Sequence, residues 1–251
     1  MLVALAVVIG LPLVVLVTEI QLARRGADVA TPEIATLART LTPSTPSDGV
    51  VRILWLGDST AAGVGATDAD GAVSSQVGER LIAAGTQHTL DVVVIAKSGA
   101  RINDVVDDQL PRVGSVHADV VVISVGANDT VHLTRAGTFR DRYNELLDGL
   151  GKHGVAADQV VVVGVPDMGA PRRLLQPLRG IVGARARSLD REAKHVAEKQ
   201  GAHYVDLFGA TSTPFRAHPS TYFAADKYHP SDAGYALWAD AIAPAVTAAL
   251  D

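Results

Sequence analysis

Val51-Arg52-Ile53-Leu54-Trp55-Leu56-Gly57-Asp58-Ser59-Thr60 is a short, mostly apolar run that ends in a glycine and three polar, cap-forming residues. An apolar stretch of this length, stopped by turn formers, predicts a buried strand followed by a tight turn. Similar runs put further strands near 90–96, 119–125, 159–165 and 203–206, with helical stretches near 74–84, 101–110, 134–151, 181–200 and 232–249. Alternating strands and helices argue for a parallel sheet covered on both faces. The expected fold is therefore α/β: a flavodoxin-like three-layer α/β/α sandwich with a central parallel five-stranded sheet, occupying residues 50–251.

In such a sheet, ligands bind beyond the C-terminal strand ends, where loops diverge and helix N-termini point into the crevice. Ser59 is expected there, just after the first strand. A serine hydroxyl attacks only when a neighbouring base removes its proton, so an imidazole must reach it. Of the eight histidines, His229 has the best setting. Asp226 stands three residues before it on an expected loop, and Pro230-Ser231-Asp232 opens the last helix. Asp226 would accept the Nδ1 proton and turn Nε2 toward Ser59. His132 and His218 are the only other histidines expected near the site. The remaining five fall in or beside expected helices and strands.

Attack on a carbonyl puts negative charge on its oxygen, and donors aimed at that charge usually supply the largest catalytic contribution. Three are available at strand ends: the backbone N–H of Ser59, the N–H of Gly99 in Ser98-Gly99, and the side-chain amide of Asn128 in Gly126-Ala127-Asn128-Asp129. Asp58 and Asp129 are expected to order their own turns.

Taken in order, Ser59, Gly99, Asn128 and His229, with Asp226 beside the histidine, resemble the SGNH hydrolases, also called the GDSL esterase and lipase family. The resemblance covers roughly residues 51–250. Gly-Asp-Ser-Thr stands where many members have Gly-Asp-Ser-Leu, and Val94-Ile95-Ala96-Lys97 lacks the asparagine that often precedes the glycine of the second block. It implies a carboxylic ester hydrolase working through an acyl-enzyme on Ser59, with no cofactor.

Each motif has a plainer reading in isolation. Gly-Asp-Ser-Thr is also a capped turn, and Gly-Ala-Asn-Asp is also an ordinary loop. Asp226-x-x-His229 is also half a metal site, but the chain has no cysteine and no second ligand cluster at metal spacing, so no metal is expected. Gly63-Val64-Gly65 lacks the third glycine of a dinucleotide fingerprint, and no Walker-type motif is present. Net charge −5 and a pI of about 5.9 leave no global basic field to attract nucleic acid.

The 251 residues, 48% hydrophobic, are ample for one core. Leu2 to Val17 carries no charge and, with Thr18 and Ile20, approaches the roughly 20 residues a membrane span needs. Residues 1–22 are expected to be a transmembrane anchor, with a cleaved signal peptide as the alternative, and residues 23–49, rich in Thr, Pro and Ser, a linker. Arg24 and Arg25 after the span argue for a cytoplasmic domain, whereas anchored members of the family resembled are commonly exported. An extracytoplasmic domain is the expectation adopted.

Between Pro166 and Arg191 the chain carries six arginines among apolar residues, leaving the same sheet edge as the catalytic loops. Leu174, Leu175 and Leu178 are candidates for acyl contacts. The arginines fit either a basic rim to that groove or a solvated helix face. Substrate is expected to be a small-molecule, lipid or glycan ester. Two further readings stay open: an acyltransferase with a hydroxyl acceptor in place of water, and a binding module that retains the site without turnover.

Overall fold

The computed structural model describes residues 29, 31–33, 37–47 and 49–251. The expected anchor at 1–22 and most of the expected linker before residue 37 lie outside the described residues. Among the described residues, no helix is long and apolar enough to cross a membrane.

The chain forms β1 (Arg39–Leu41), β2 (Val50–Gly57), α1 (Val73–Ala83), β3 (Thr89–Ala96) and α2 (Ile102–Asp104). Next come β4 (Val120–Ser124), α3 (Ala127–Val131), α4 (Ala136–Lys152), β5 (Val160–Val163) and α5 (Leu178–Gln200). It closes with β6 (His203–Val205), α6 (Leu207–Ala217), α7 (Pro219–Tyr222) and α8 (Asp232–Ala248). The sheet order is β1-β3-β2-β4-β5-β6. β2 to β6 pair in parallel, and β1 adds to β3 antiparallel.

The sheet is thus mixed and six-stranded, which corrects the expected five parallel strands. The extra strand comes from the stretch read as linker. Arg39 faces Val92 and Leu41 faces Leu90 across the pair, and Leu37 and Leu41 are buried in the core. Two apolar anchors are enough to hold a three-residue edge strand once β3 offers its unpaired backbone groups.

Alternation along the strands builds two cores. Ile53 and Trp55 of β2 pack with Val73, Val77 and Leu81 of α1 and with Tyr235, Trp238 and Ile242 of α8. Leu54 and Leu56 face the other way, toward Phe139, Tyr143 and Leu146 of α4 and Val182 and Leu189 of α5. A strand buried on both faces carries no polar alternation, which is why β2, β4 and β5 read as continuous apolar runs. Each fully buried Leu or Ile side chain contributes roughly 1.5–3 kcal/mol.

The expected helix at 101–110 stops short. After α2 the chain widens into a π-helical turn at Val105–Gln109 and tightens into a 3-10 turn at Leu110–Ser115. Pro111 has no N–H to continue an α-helix. The register levels the strand ends: Gly57 lies opposite both Ala96 and Ser124, and Ser124 opposite Val163. The loops carrying Ser59, Gly99, Asn128 and Asp167 therefore leave the sheet side by side.

Candidate active site

The turn after β2 depends on Gly57. Its φ is +145°, and a β-carbon there would stand 1.9 Å from the Ser124 carbonyl oxygen. Buried Gln109 clamps the same residue, donating from Nε2 to Gly57 O (2.8 Å) and accepting from Gly57 N at Oε1 (2.9 Å). Asp58 Oδ1 accepts from the Thr60 N–H (2.9 Å) and hydroxyl (2.8 Å). Burial raises the Asp58 pKa to about 6, against the pull of the Thr60 hydrogen bonds. Asp58 touches its own turn, as expected of a brace.

The second loop closes through a bridge between Phe223 and Pro230 and a bond from Ala224 N to His229 O (2.8 Å). Inside it, buried Asp226 accepts from the Tyr228 and His229 N–H groups at Oδ1 (2.9 and 3.0 Å). Its Oδ2 lies 2.6 Å from His229 Nδ1 and 3.6 Å from the Arg173 guanidinium. Burial works to raise the Asp226 pKa. The His229 ring and the two backbone donors outweigh it and hold the carboxyl below its ordinary value. On the far side of the ring, His229 Nε2 stands 3.1 Å from Ser59 Oγ. Tyr228 meets the imidazole edge-on, with ring centres 5.1 Å apart.

Ser59, Gly99, Asn128 and His229 line one cavity of about 540 Å³. Asn128 Nδ2 donates one hydrogen to Ala100 O (3.1 Å), which fixes the amide and leaves its second hydrogen for a ligand. Among the described residues, no acceptor takes the Ser59 or Gly99 N–H. Asp129 points away, accepting from Ile102 N at Oδ2 (3.0 Å) and so tying α3 to α2.

Of the three leucines, Leu174 and Leu178 line this cavity, and Leu175 does not. Leu175 is 47% exposed on the outside of the loop, which corrects its assignment as an acyl contact. His132 reaches the cavity rim with Nδ1 2.9 Å from Asn128 O, whereas His218 caps α6 away from it. Among the described residues, no group of three or more His, Cys, Asp or Glu side chains is placed to hold a metal ion.

Sequence reasoning missed a second, narrow slot of about 30 Å³ that also opens on Ser59, Asn128 and His229 and runs back between Met168, Phe215, Phe223 and Trp238. One side of it, Thr211, Ser212 and Phe215, comes from α6, a helix that was not expected.

Residues 55–237 match the model of the GDSL-like lipase/acylhydrolase family. The chain belongs to that family. A GDSL-like esterase of Mycobacterium tuberculosis is 34% identical over 214 residues, covering 80% of this chain and 64% of the relative, so the chain spans less than two-thirds of that protein's length. Among solved structures, an acetyl xylan esterase of Geobacillus stearothermophilus superposes with a TM-score of 0.64 at 20% identity, covering 80% of this chain and 95% of that one. A lipase/acylhydrolase of Enterococcus faecalis gives 0.59 at 23% identity, covering 77% and 94%. At these identities the superpositions speak for a shared α/β fold. The family match spans β2 to the middle of α8, so this GDSL-like chain contains every loop that contributes to the cavity.

Proposed function

We propose that this chain hydrolyses carboxylic esters through an acyl-enzyme on Ser59. The observation that carries the proposal is the continuous line from Ser59 Oγ through the His229 ring to Asp226, at 3.1 and 2.6 Å. With Asp226 ionised, Nδ1 of the neutral ring donates to it, so Nε2 is the acceptor that faces Ser59.

In the first step the Ser59 proton passes to Nε2 as Oγ bonds the ester carbon, and the carbonyl electron pair moves onto oxygen. The Ser59 and Gly99 N–H groups and the Asn128 amide are the donors for that oxyanion. Collapse expels the alcohol, which takes the proton from His229. Water then repeats the sequence on the acyl-enzyme and releases the carboxylic acid. Ionised Asp226 stabilises the imidazolium in both halves.

The two spaces beside Ser59 suggest how an ester divides. The slot of about 30 Å³ has no room for a chain, whereas the 540 Å³ cavity carries apolar Leu174, Leu178 and Val182 along its wall. Val131, Leu133 and Ile181 stand 40, 60 and 45% exposed at its mouth. The acyl chain is proposed to lie there. The apolar segment at 1–22, read from the sequence as an anchor, would hold the chain at a membrane, where lipid esters are available as substrates.

The test is hydrolysis of p-nitrophenyl esters from acetyl to palmitoyl by the intact chain, with Ser59→Ala and His229→Ala alongside. Turnover that peaks above acetyl and falls by about three orders of magnitude or more in both variants is the expected result. A folded protein with no serine-dependent turnover at any length would sink the proposal. Ester exchange in place of hydrolysis, when an acceptor alcohol is added, would move the reading to an acyltransferase.

A further inference from the structure

A third cavity, of about 460 Å³, lies along α5 on the side away from the acyl groove. Arg179, Arg187 and Arg191 of α5 and Arg216 of α6 line it, and Gly180, Gly183 and Ala184 form its floor. Arg179, Gly183, Arg187 and Arg191 follow one another at steps of four, which puts them on one helix face. Gly183 presses against Gly169, where a β-carbon would stand 3.0 Å from the Gly169 Cα, so the floor is backbone. We propose that this cavity binds an anionic group of the phosphate class, either a free phosphate or diphosphate or the headgroup of a lipid.

The charge distribution supports this. The chain as a whole is acidic, with net charge −5, yet the acids of α5 are engaged elsewhere. Asp190 accepts from Val165 N (2.9 Å) and the Tyr204 hydroxyl (2.7 Å). Glu192 lies 3.7 Å from Arg140, and Glu198 lies 3.8 Å from Lys194. Among the described residues, no carboxylate comes within ion-pair distance of Arg179, Arg187 or Arg191. Like charges four apart, such as Arg187 and Arg191, weaken a helix unless an anion sits between them.

Two of the arginines are already positioned. Arg187 lies over the Phe208 ring at 4.9 Å. Arg216 grips Asp167 through two bonds of 2.5 and 2.9 Å. Guanidinium forks match phosphate oxygens in pairs, and several converging forks suit a group bearing more than one negative charge. Asp167 also lines the narrow slot beside Ser59. The Asp167–Arg216 pair is therefore the partition between this cavity and the candidate active site.

The test is calorimetric titration of the intact chain carrying Ser59→Ala, which prevents turnover and keeps the result independent of the esterase proposal. The ligands are inorganic pyrophosphate and monomeric dihexanoylphosphatidic acid, and the comparison protein adds Arg187→Ala and Arg191→Ala. The double arginine variant should keep the circular dichroism spectrum and melting transition of its parent, which shows that it is folded. Saturable pyrophosphate binding weakened at least tenfold in the double variant supports a free phosphate ligand. Tighter binding of the lipid, weakened equally by the double variant, supports the headgroup. Absence of saturable binding for both ligands, or binding that the double variant leaves unchanged, overturns the proposal.

Discussion

Gly65 and Pro230 meet backbone to backbone: a β-carbon at Gly65 would stand 2.4 Å from the Pro230 carbonyl oxygen and 3.0 Å from the His229 β-carbon. The loop that follows Ser59 is thus the surface against which the His229 segment rests. Gly65 has φ +97°, so alanine there meets both a strained backbone and a collision. Gly65→Ala is expected to displace the imidazole and lower kcat on a p-nitrophenyl ester by about 10²-fold, with KM nearly constant. Gly85→Ala is the matched control, because Gly85 has φ +101° with nothing within 4 Å of a β-carbon. It should lower the melting temperature and leave kcat alone. Equal kcat loss in both variants would reduce the Gly65 effect to stability.

The same two segments are joined a second time. Asp232, in the first turn of α8, accepts from Thr67 N (2.8 Å) and Thr67 Oγ1 (2.6 Å), and the Tyr235 hydroxyl donates to Val64 O (2.7 Å). Hydrogen bonds to a charged acceptor contribute roughly 1.5–3 kcal/mol. Asp232→Ala is expected to destabilise the fold by about that amount in urea. Thr67→Ala added to it should then cost far less than Thr67→Ala alone, because the partner is already gone. Strict additivity in that double-mutant cycle would mean the two residues act separately.

Asp58 gives this chain an unusual pH dependence. Its folded pKa of about 6 lies above the ordinary value of 3.8, so the folded state holds a proton that the unfolded state has released. That contribution is full below pH 3.8 and is lost as pH rises through 6. The gap corresponds to roughly 3 kcal/mol. Asp58→Asn keeps an oxygen for the two Thr60 donors and removes the titration. Relative to the parent, the variant should gain roughly 2 kcal/mol of unfolding free energy between pH 4 and pH 7, most of the full gap. Asp226, whose pKa is lowered, loses stability in the opposite direction as pH falls, but it does so in both proteins and cancels. A difference that stays flat across that range would show that Asp58 is ionised in the fold.

What was legible in the sequence was local. Val51 to Thr60 reads as strand and turn because both faces of β2 are buried and the turn needs its glycine. Asp226 and His229 read as a pair because three residues of loop suffice to bring them together. β1 was not legible, since Arg39-Thr40-Leu41 has no periodicity and is a strand only through pairing with residues about fifty positions away. α6 was hidden by Gly209 and Pro214, poor helix formers that tertiary packing of Leu207 and Phe215 overrides. Gln109 falls inside the expected helical stretch near 101–110 with nothing to single it out, and only the π-helical turn carries it inward to Gly57. The arginine cavity required α6 as its second wall, so neither its position nor its separation from the acyl groove was readable.

Leu175 and Leu178 test where the acyl chain lies, because the loop before α5 turns them to different surroundings. Leu178 lines the cavity that holds Ser59, whereas Leu175 stands outside it and is 47% exposed. Each methylene buried on binding contributes ~0.8 kcal/mol, about fourfold in kcat/KM. Leu178→Ser removes part of the apolar wall and should lower kcat/KM for the octanoyl ester by roughly tenfold while changing the acetyl ester by less than about twofold, since a two-carbon acyl group stops short of that wall. Leu175→Ser should leave the ratio of the two esters unchanged. If Leu175→Ser shifts the chain-length profile and Leu178→Ser does not, the chain leaves Ser59 by another route, and the cavity wall along α5 is not its binding surface.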